Sequence, residues 1–430
     1  MREYFEPHSE GLCPSFYAAY TITKVRNAIP YLHAAKDCTL NLRCHISVAM
    51  LGKPLYTPGT TFCEEDSIFG GLTKIEHALR DIITKREPKL LAVILGCGPL
   101  TINDNVEPLL EQLAYEYPHV KFISIKAGFN TKYEVEGAGE ALKSLTKIMN
   151  NTDNRRENSF NLIGFTNFDG RKYFERTLKP LKINSTIVRN EGTNIDEIER
   201  ALKAKINIPT HIFSELPLKE MYENFAVPYV NVLPYGEDPF ERVIQEVEET
   251  TGVKVRSKLN LWENKIKRFK EKLRGKRVLI AASLGREINL ACSCIALGLE
   301  TTVYTCFLPN IADENIKYVR ENGGEIHVER SVYETLMKGL DEDFDFIIGD
   351  WIFAPLALRK GAWFLSRISI ATCDSPGYLG MLRLGEILAK RINSPARKWK
   401  TLAEKYRLFF DRIFGDNNWE GEGDEWRVLS

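Results

Sequence analysis

The stretch KLLAVILGCGP, residues 89–99, decides how this chain folds. Leu90 to Leu95 form an unbroken apolar run with no polar alternation. Such a run reads as a strand covered on both faces, the habit of parallel sheets flanked by helices. Gly96 and Gly98 then punctuate the chain on either side of Cys97. Working outward, NDNVEPLLEQLAYEY (103–117) carries apolar residues at helical spacing, and HVKFISIKAG (119–128) returns to strand composition.

The same order of short strand and helix recurs twice. NLIGFTNFDG (161–170) leads to a helical pattern in GRKYFERTLKPL (170–181), with further strands expected in INSTIV (183–188), PTHIF (209–213) and VPYVNVL (227–233). KRVLIAASLGREINLACSCIALGL (276–299) is followed by TTVYTCF (301–307), ADENIKYVRENG (312–323), DFDFIIGD (343–350) and ISIATCDS (368–375). This alternation predicts an α/β chain of three doubly wound parallel-sheet domains, over residues 1–155, 156–262 and 263–430. The polar stretch at 153–159 and the charged segment at 261–276 read as connectors, and Leu402, Tyr406, Phe409 and Phe410 suggest an amphipathic helix in the tail. Ligands of such sheets gather beyond the carboxyl ends of strands, where Cys97, Gly164, Ser283 and Asp350 are expected.

A length of 430 residues exceeds what one hydrophobic core usually serves. The 58 Lys and Arg balance 58 Asp and Glu, whereas nucleic-acid binding leaves a basic footprint, so no nucleic-acid partner is expected. Residues 1–30 carry charges throughout and contain no apolar signal core. No later apolar run is long enough to span a bilayer. The expectation is a cytoplasmic protein without a membrane partner.

Nine cysteines are too widely scattered for a small disulfide framework. Cys13, Cys38 and Cys97 lie 25 and 59 residues apart, a spacing that matches no compact metal motif and leaves packing and ligation both open. Their settings say more. GLCPS and KDCTL are breaks flanking a helical pattern over 15–28, and GCGP stands at a strand's carboxyl end, where loop amides can stabilise a thiolate. Cys44 is expected to pack on a helix, and Cys292 and Cys294 to pack inside another. Cys306 ends a strand. Cys63, in TTFCEED, is a candidate extra ligand, and His33 is either a structural histidine or a support behind a metal ligand.

Taken in order, CPSFYAAYTITKVRNAIPYLHAAKDC (13–38), EEDSIFGG (64–71), LLAVILGCGP (90–99) with Asn103-Asp104, GFTNFDG (164–170), the unit at 277–299 and DSPGYLGMLRLGEIL (374–388) resemble the larger component of the nitrogenase-like reductases, the nitrogenase component 1 superfamily. The resemblance implies three Rossmann-like domains. It also implies that Cys13, Cys38 and Cys97 ligate an iron–sulfur cluster bridging two homologous subunits, with an eight-iron (8Fe-7S) type favoured over a four-iron (4Fe-4S) type. The implied partners are an alpha-type subunit, with a homodimer as rival, and an ATP-hydrolysing iron protein; this chain has no P-loop of its own. Ala35, Lys36 and Asp37 depart from the family's glycine-bearing loop. THIFSELPLKEMY (210–222) has no cysteine and Cys373-Asp374 has no neighbouring histidine, which implies a beta-type subunit.

The function so implied is relay of electrons to a catalytic site in the partner, for a carbon–sulfur substrate such as a methylthio-alkane. The alternatives are a tetrapyrrole reductase subunit, nitrogenase proper, and a scaffold for metallocluster assembly.

Overall fold

The computed structural model describes residues 13–49, 56–131, 136–150, 157–255, 262–281, 285–305, 307–328, 335–336, 338–339, 342–366, 373 and 375–393. They build three parallel sheets. The first holds β1 (Ala28–Ala35), β2 (Gly59–Phe62), β3 (Leu90–Leu95) and β4 (Lys121–Lys126) in the order β2-β1-β3-β4. The second holds β5 (Glu157–Thr166), β6 (Lys182–Arg189) and β7 (Ala204–Pro209) in the order β6-β5-β7. The third holds β8 (Arg277–Ala281), β9 (Glu300–Thr305), β10 (Glu325–Val328), β11 (Phe346–Gly349) and β12 (Trp363–Ser366) in the order β10-β9-β8-β11-β12. Helices between the strands cover the sheets, giving the expected α/β, doubly wound, Rossmann-like class.

All six residues of β3 are buried, and alternation divides them between two cores. Leu90, Ala92 and Ile94 join the large core that runs through all three sheets, whereas Leu91, Val93 and Leu95 join a smaller one with Ile75, Leu79 and Leu113 from the covering helices. Successive side chains of a strand point to opposite faces, so two covered faces require an unbroken apolar run. β8 repeats the device: Val278 and Ile280 enter the large core, Leu279 and Ala281 a third.

The helical pattern expected over 15–28 is shorter than that. Helix α1 (Pro14–Ile22) stops, Asn27 takes a positive φ of 56°, and AIPYLHAA becomes β1. Pro30 argues locally against an inner strand because it cannot donate to a neighbour. The pairing resolves this: the Leu32 N–H bonds the Pro58 carbonyl, and β2 is in register only with Leu32 to Ala35. Pro30 therefore faces that side before β2 begins.

The second and third sheets also differ in detail from the sequence reading. PTHIF is not a strand: β7 ends at Pro209, and the Thr210 and Ser214 hydroxyls both donate to the Ile163 carbonyl, folding the segment over the end of β5. VPYVNVL meets the sheet only through an isolated bridge between Asn207 and Tyr229. The edge strand β10 was hidden by its polar, partly exposed sequence, EIHV. Residues 368–372 and 374 of the expected strand ISIATCDS, the tail with Leu402, Tyr406, Phe409 and Phe410, and Ser283 and Cys306 lie outside the described residues.

Candidate functional site

Cys13, Cys38 and Cys97 come together at the carboxyl end of the first sheet, and their thiols are close enough to influence one another's ionisation. Cys38 and Cys97 are each placed by a strand-to-helix junction. β1 runs directly into helix α2 (Lys36–Ala49), whose first turn carries Cys38. β3 ends at Leu95, and Gly96 caps the short helix α5 (Cys97–Thr101), which Cys97 opens. Cys13 caps α1, and its carbonyl accepts the Phe16 N–H at 2.9 Å. The Ser15 hydroxyl donates to the Ala127 carbonyl at 2.5 Å, tying α1 to the end of β4.

The three cysteines are exposed. Burial nevertheless pushes the Cys13 thiol up, because protein crowds its sulfur, and Cys97 adds to this against bonds from Phe16 and Ser15. Cys38 is raised first by desolvation and then by Cys13, Cys97 and Asp37. Three thiolates gathered this way repel each other, an arrangement that a cationic metal centre relieves. Among the described residues no three His, Cys, Asp or Glu side chains converge on a single-ion site. A polynuclear cluster does not need that convergence, since its ligands bind different irons. Spaced, exposed thiols on one face fit half of such a site.

Behind the cysteines lies a network that joins three of the sequence motifs. His33 is fully buried; its Nδ1 lies 3.1 Å from the Thr60 hydroxyl and its Nε2 3.1 Å from Asp104 Oδ2. The same Asp104 oxygen accepts the Gly71 N–H at 2.7 Å, and Thr60 also meets the Tyr31 hydroxyl at 2.8 Å. A Cβ at Gly71 would stand 2.5 Å from the His33 ring, so only glycine fits there. Burial holds His33 below the usual histidine range despite Asp104. With both ring nitrogens engaged inside the protein, His33 ties β1, which leads into the helix of Cys38, to Thr60 of β2 and to Asp104, which follows the helix of Cys97. Asp104 is the member that residue-by-residue reading passed over; its signal was the Asn103-Asp104 pair after GCGP.

Cys63 follows β2, and its sulfur accepts from the Lys74 ammonium at 3.4 Å. Cys292 and Cys294 are fully buried, as expected from their helix; burial raises both thiols, Cys292 to about 12. The expectation that Cys44 packs is overturned: it is exposed. The inward positions of α2 are Thr39 and Leu42, and two residues further turns the side chain about 200° around the helix. Among the described residues no helix is long and apolar enough to cross a membrane.

Comparison with known proteins agrees with this geometry. The family model described as nitrogenase component 1 type oxidoreductase matches residues 13–393. The chain is 24% identical over 406 residues to the nitrogenase iron-molybdenum cofactor biosynthesis protein NifE of Clostridium pasteurianum, covering 90% of this chain and 88% of that one. It is 19% identical over 414 residues to the nitrogenase molybdenum-iron protein beta chain of the same organism, covering 87% and 90%. A solved structure titled nitrogenase Cp1 at pH 6.5 shares the fold with a TM-score of 0.77 at 17% identity, over 97% of this chain and 96% of that one. The matched family thus spans the three cysteines, the His33–Asp104 network and all three sheets, and the chain belongs to the nitrogenase component 1 type oxidoreductases.

Proposed function

We propose that this chain is the cluster-holding subunit of a two-chain scaffold that assembles a metallocluster, in preference to an electron-relaying subunit of a substrate reductase. The observation that carries the choice is the extended similarity to a cofactor biosynthesis protein, 24% identical against 19% for the nitrogenase beta chain at comparable coverage. In this reading Cys13, Cys38 and Cys97 hold an iron–sulfur cluster jointly with a homologous partner chain, or with a second copy, and an iron protein supplies electrons. When bound, the cluster supplies one-electron storage and a template for larger metal assemblies. The chain's own residues hold thiolate sulfurs at fixed positions, and His33 with Asp104 keeps the two strand ends in register.

The electron-relay reading, with a methylthio-alkane or other carbon–sulfur substrate, draws support from the beta-chain similarity and makes the opposite prediction. The test is an anaerobic preparation of this chain with its co-expressed neighbour. A scaffold transfers its metallocluster to an apo-acceptor protein without multi-electron turnover. ATP-dependent reduction of methylthio-alkanes, dinitrogen or tetrapyrroles without transfer would overturn the proposal. Cys13→Ala, Cys38→Ala and Cys97→Ala are each expected to lower bound iron, and full iron content in Cys97→Ala would remove that residue from the site.

A further inference from the structure

Cys63, Lys74 and Asp66 form a contact group apart from the three cysteines. The Lys74 ammonium donates to the Cys63 sulfur at 3.4 Å and to Asp66 Oδ2 at 2.7 Å, and the same carboxylate oxygen accepts the Cys63 N–H at 2.8 Å. The Asp66 side chain is 5% exposed, whereas that of Lys74 is 47% exposed. A cavity of about 350 Å³, lined by Tyr31, Thr60 and Thr61 among others, opens onto both Cys63 and Lys74 and gives a small oxidant a way in. Sulfur and nitrogen already touch, so a bond between them needs no rearrangement of the backbone.

We infer that Cys63 is a peroxide-reactive site whose oxidised sulfur is captured by Lys74 as a reversible sulfur–nitrogen cross-link. In the first step the thiol attacks a peroxide: the O–O bond breaks, two electrons pass from sulfur to the peroxide, and sulfenic acid and water form. Water then takes the extra proton of the Lys74 ammonium, while Asp66 keeps the nitrogen beside the sulfur. The amine lone pair attacks sulfur, the S–N bond forms, the S–O bond breaks, and the hydroxyl leaves as water with a second proton from nitrogen. That step is redox-neutral. A thiol reductant returns both side chains by attack on sulfur. The cross-link ties the start of helix α3 (Glu64–Phe69) to the first turn of α4 (Leu72–Arg86), locking the turn that displays the exposed Ile68 and Phe69. It also removes the positive charge opposite Asp66.

The test reads covalent mass and is independent of cluster loading. Full-length protein, purified anaerobically, is treated with hydrogen peroxide, alkylated and digested. The expected product is a peptide pair joined through Cys63 and Lys74, two hydrogens lighter than its separate parts and separated again by dithiothreitol. In Lys74→Arg and Lys74→Met the joined pair is lost and Cys63 is trapped by dimedone as the sulfenic acid. Lys74→Arg keeps a cation beside the nearly buried Asp66, and thermal unfolding of both variants checks that the fold is retained. The inference is overturned if wild-type Cys63 accumulates as the dimedone adduct or sulfinic acid with no joined peptide, or stays fully alkylatable.

Discussion

Glu287 opens the helix Glu287–Ala296 with its carboxyl buried, and desolvation pushes it up to about 8 against the opposing pull of Arg286 and its own backbone N–H. Unfolding returns it to the ordinary value near 4.5. Between those two values the folded chain holds a proton that the unfolded chain has released. Its contribution to stability is therefore full below the ordinary value and is lost as pH rises through about 8. Glu287→Gln should remove this slope, at most about 1.4 kcal/mol per pH unit. Urea unfolding midpoints of both proteins across that range check it; parallel pH profiles would refute the assignment. At this scale sequence reading was uneven. Cys292 and Cys294 were legible because a helix of small apolar residues buries its cysteines, whereas nothing in GREINL marks Glu287 as buried.

Between elements, the contact that places Cys13 is the crossing of α1 and the helix Glu136–Leu145. A Cβ at Gly137 would lie 2.0 Å from the Pro14 carbonyl oxygen and 2.6 Å from its carbon, so the two backbones touch there. Gly137→Ala must force them apart, at a cost of about 1–3 kcal/mol typical of overpacking. Since Pro14 directly follows Cys13, the same shift displaces one of the three sulfurs. The expected outcome is a lower thermal midpoint together with reduced iron content. A variant that loses neither would show that the crossing is looser than it stands here. Nothing in the sequence around Gly137 marks this contact; two helices distant in the chain create it.

For the molecule as a whole, the proposed cluster role of Cys13, Cys38 and Cys97 implies a second chain that completes the site. Cys13, Cys38 and Cys97 are exposed in the isolated chain, as are Cys44 and Cys63. If a homologous chain covers that edge, maleimide should label all five in the isolated chain. In the iron-loaded assembly it should spare Cys13, Cys38 and Cys97 while still labelling Cys44. Equal labelling in both states would place the interface elsewhere. Native mass measurement of the same samples separates a homodimer from a heterodimer.

The sequence alone determined the α/β class, three parallel sheets and the strand end that carries Cys97, because a strand buried on both faces must be written as a continuous apolar run. It also carried the order of motifs on which the family rests. Only the tertiary structure decided that Cys13 joins Cys38 and Cys97, that Asp104 links His33 to Gly71, and that Cys63 meets Lys74. These contacts bring together segments from different strand ends or from either side of a turn. Local pattern records which face a residue buries, while the approach of separate segments depends on how the sheets and helices pack.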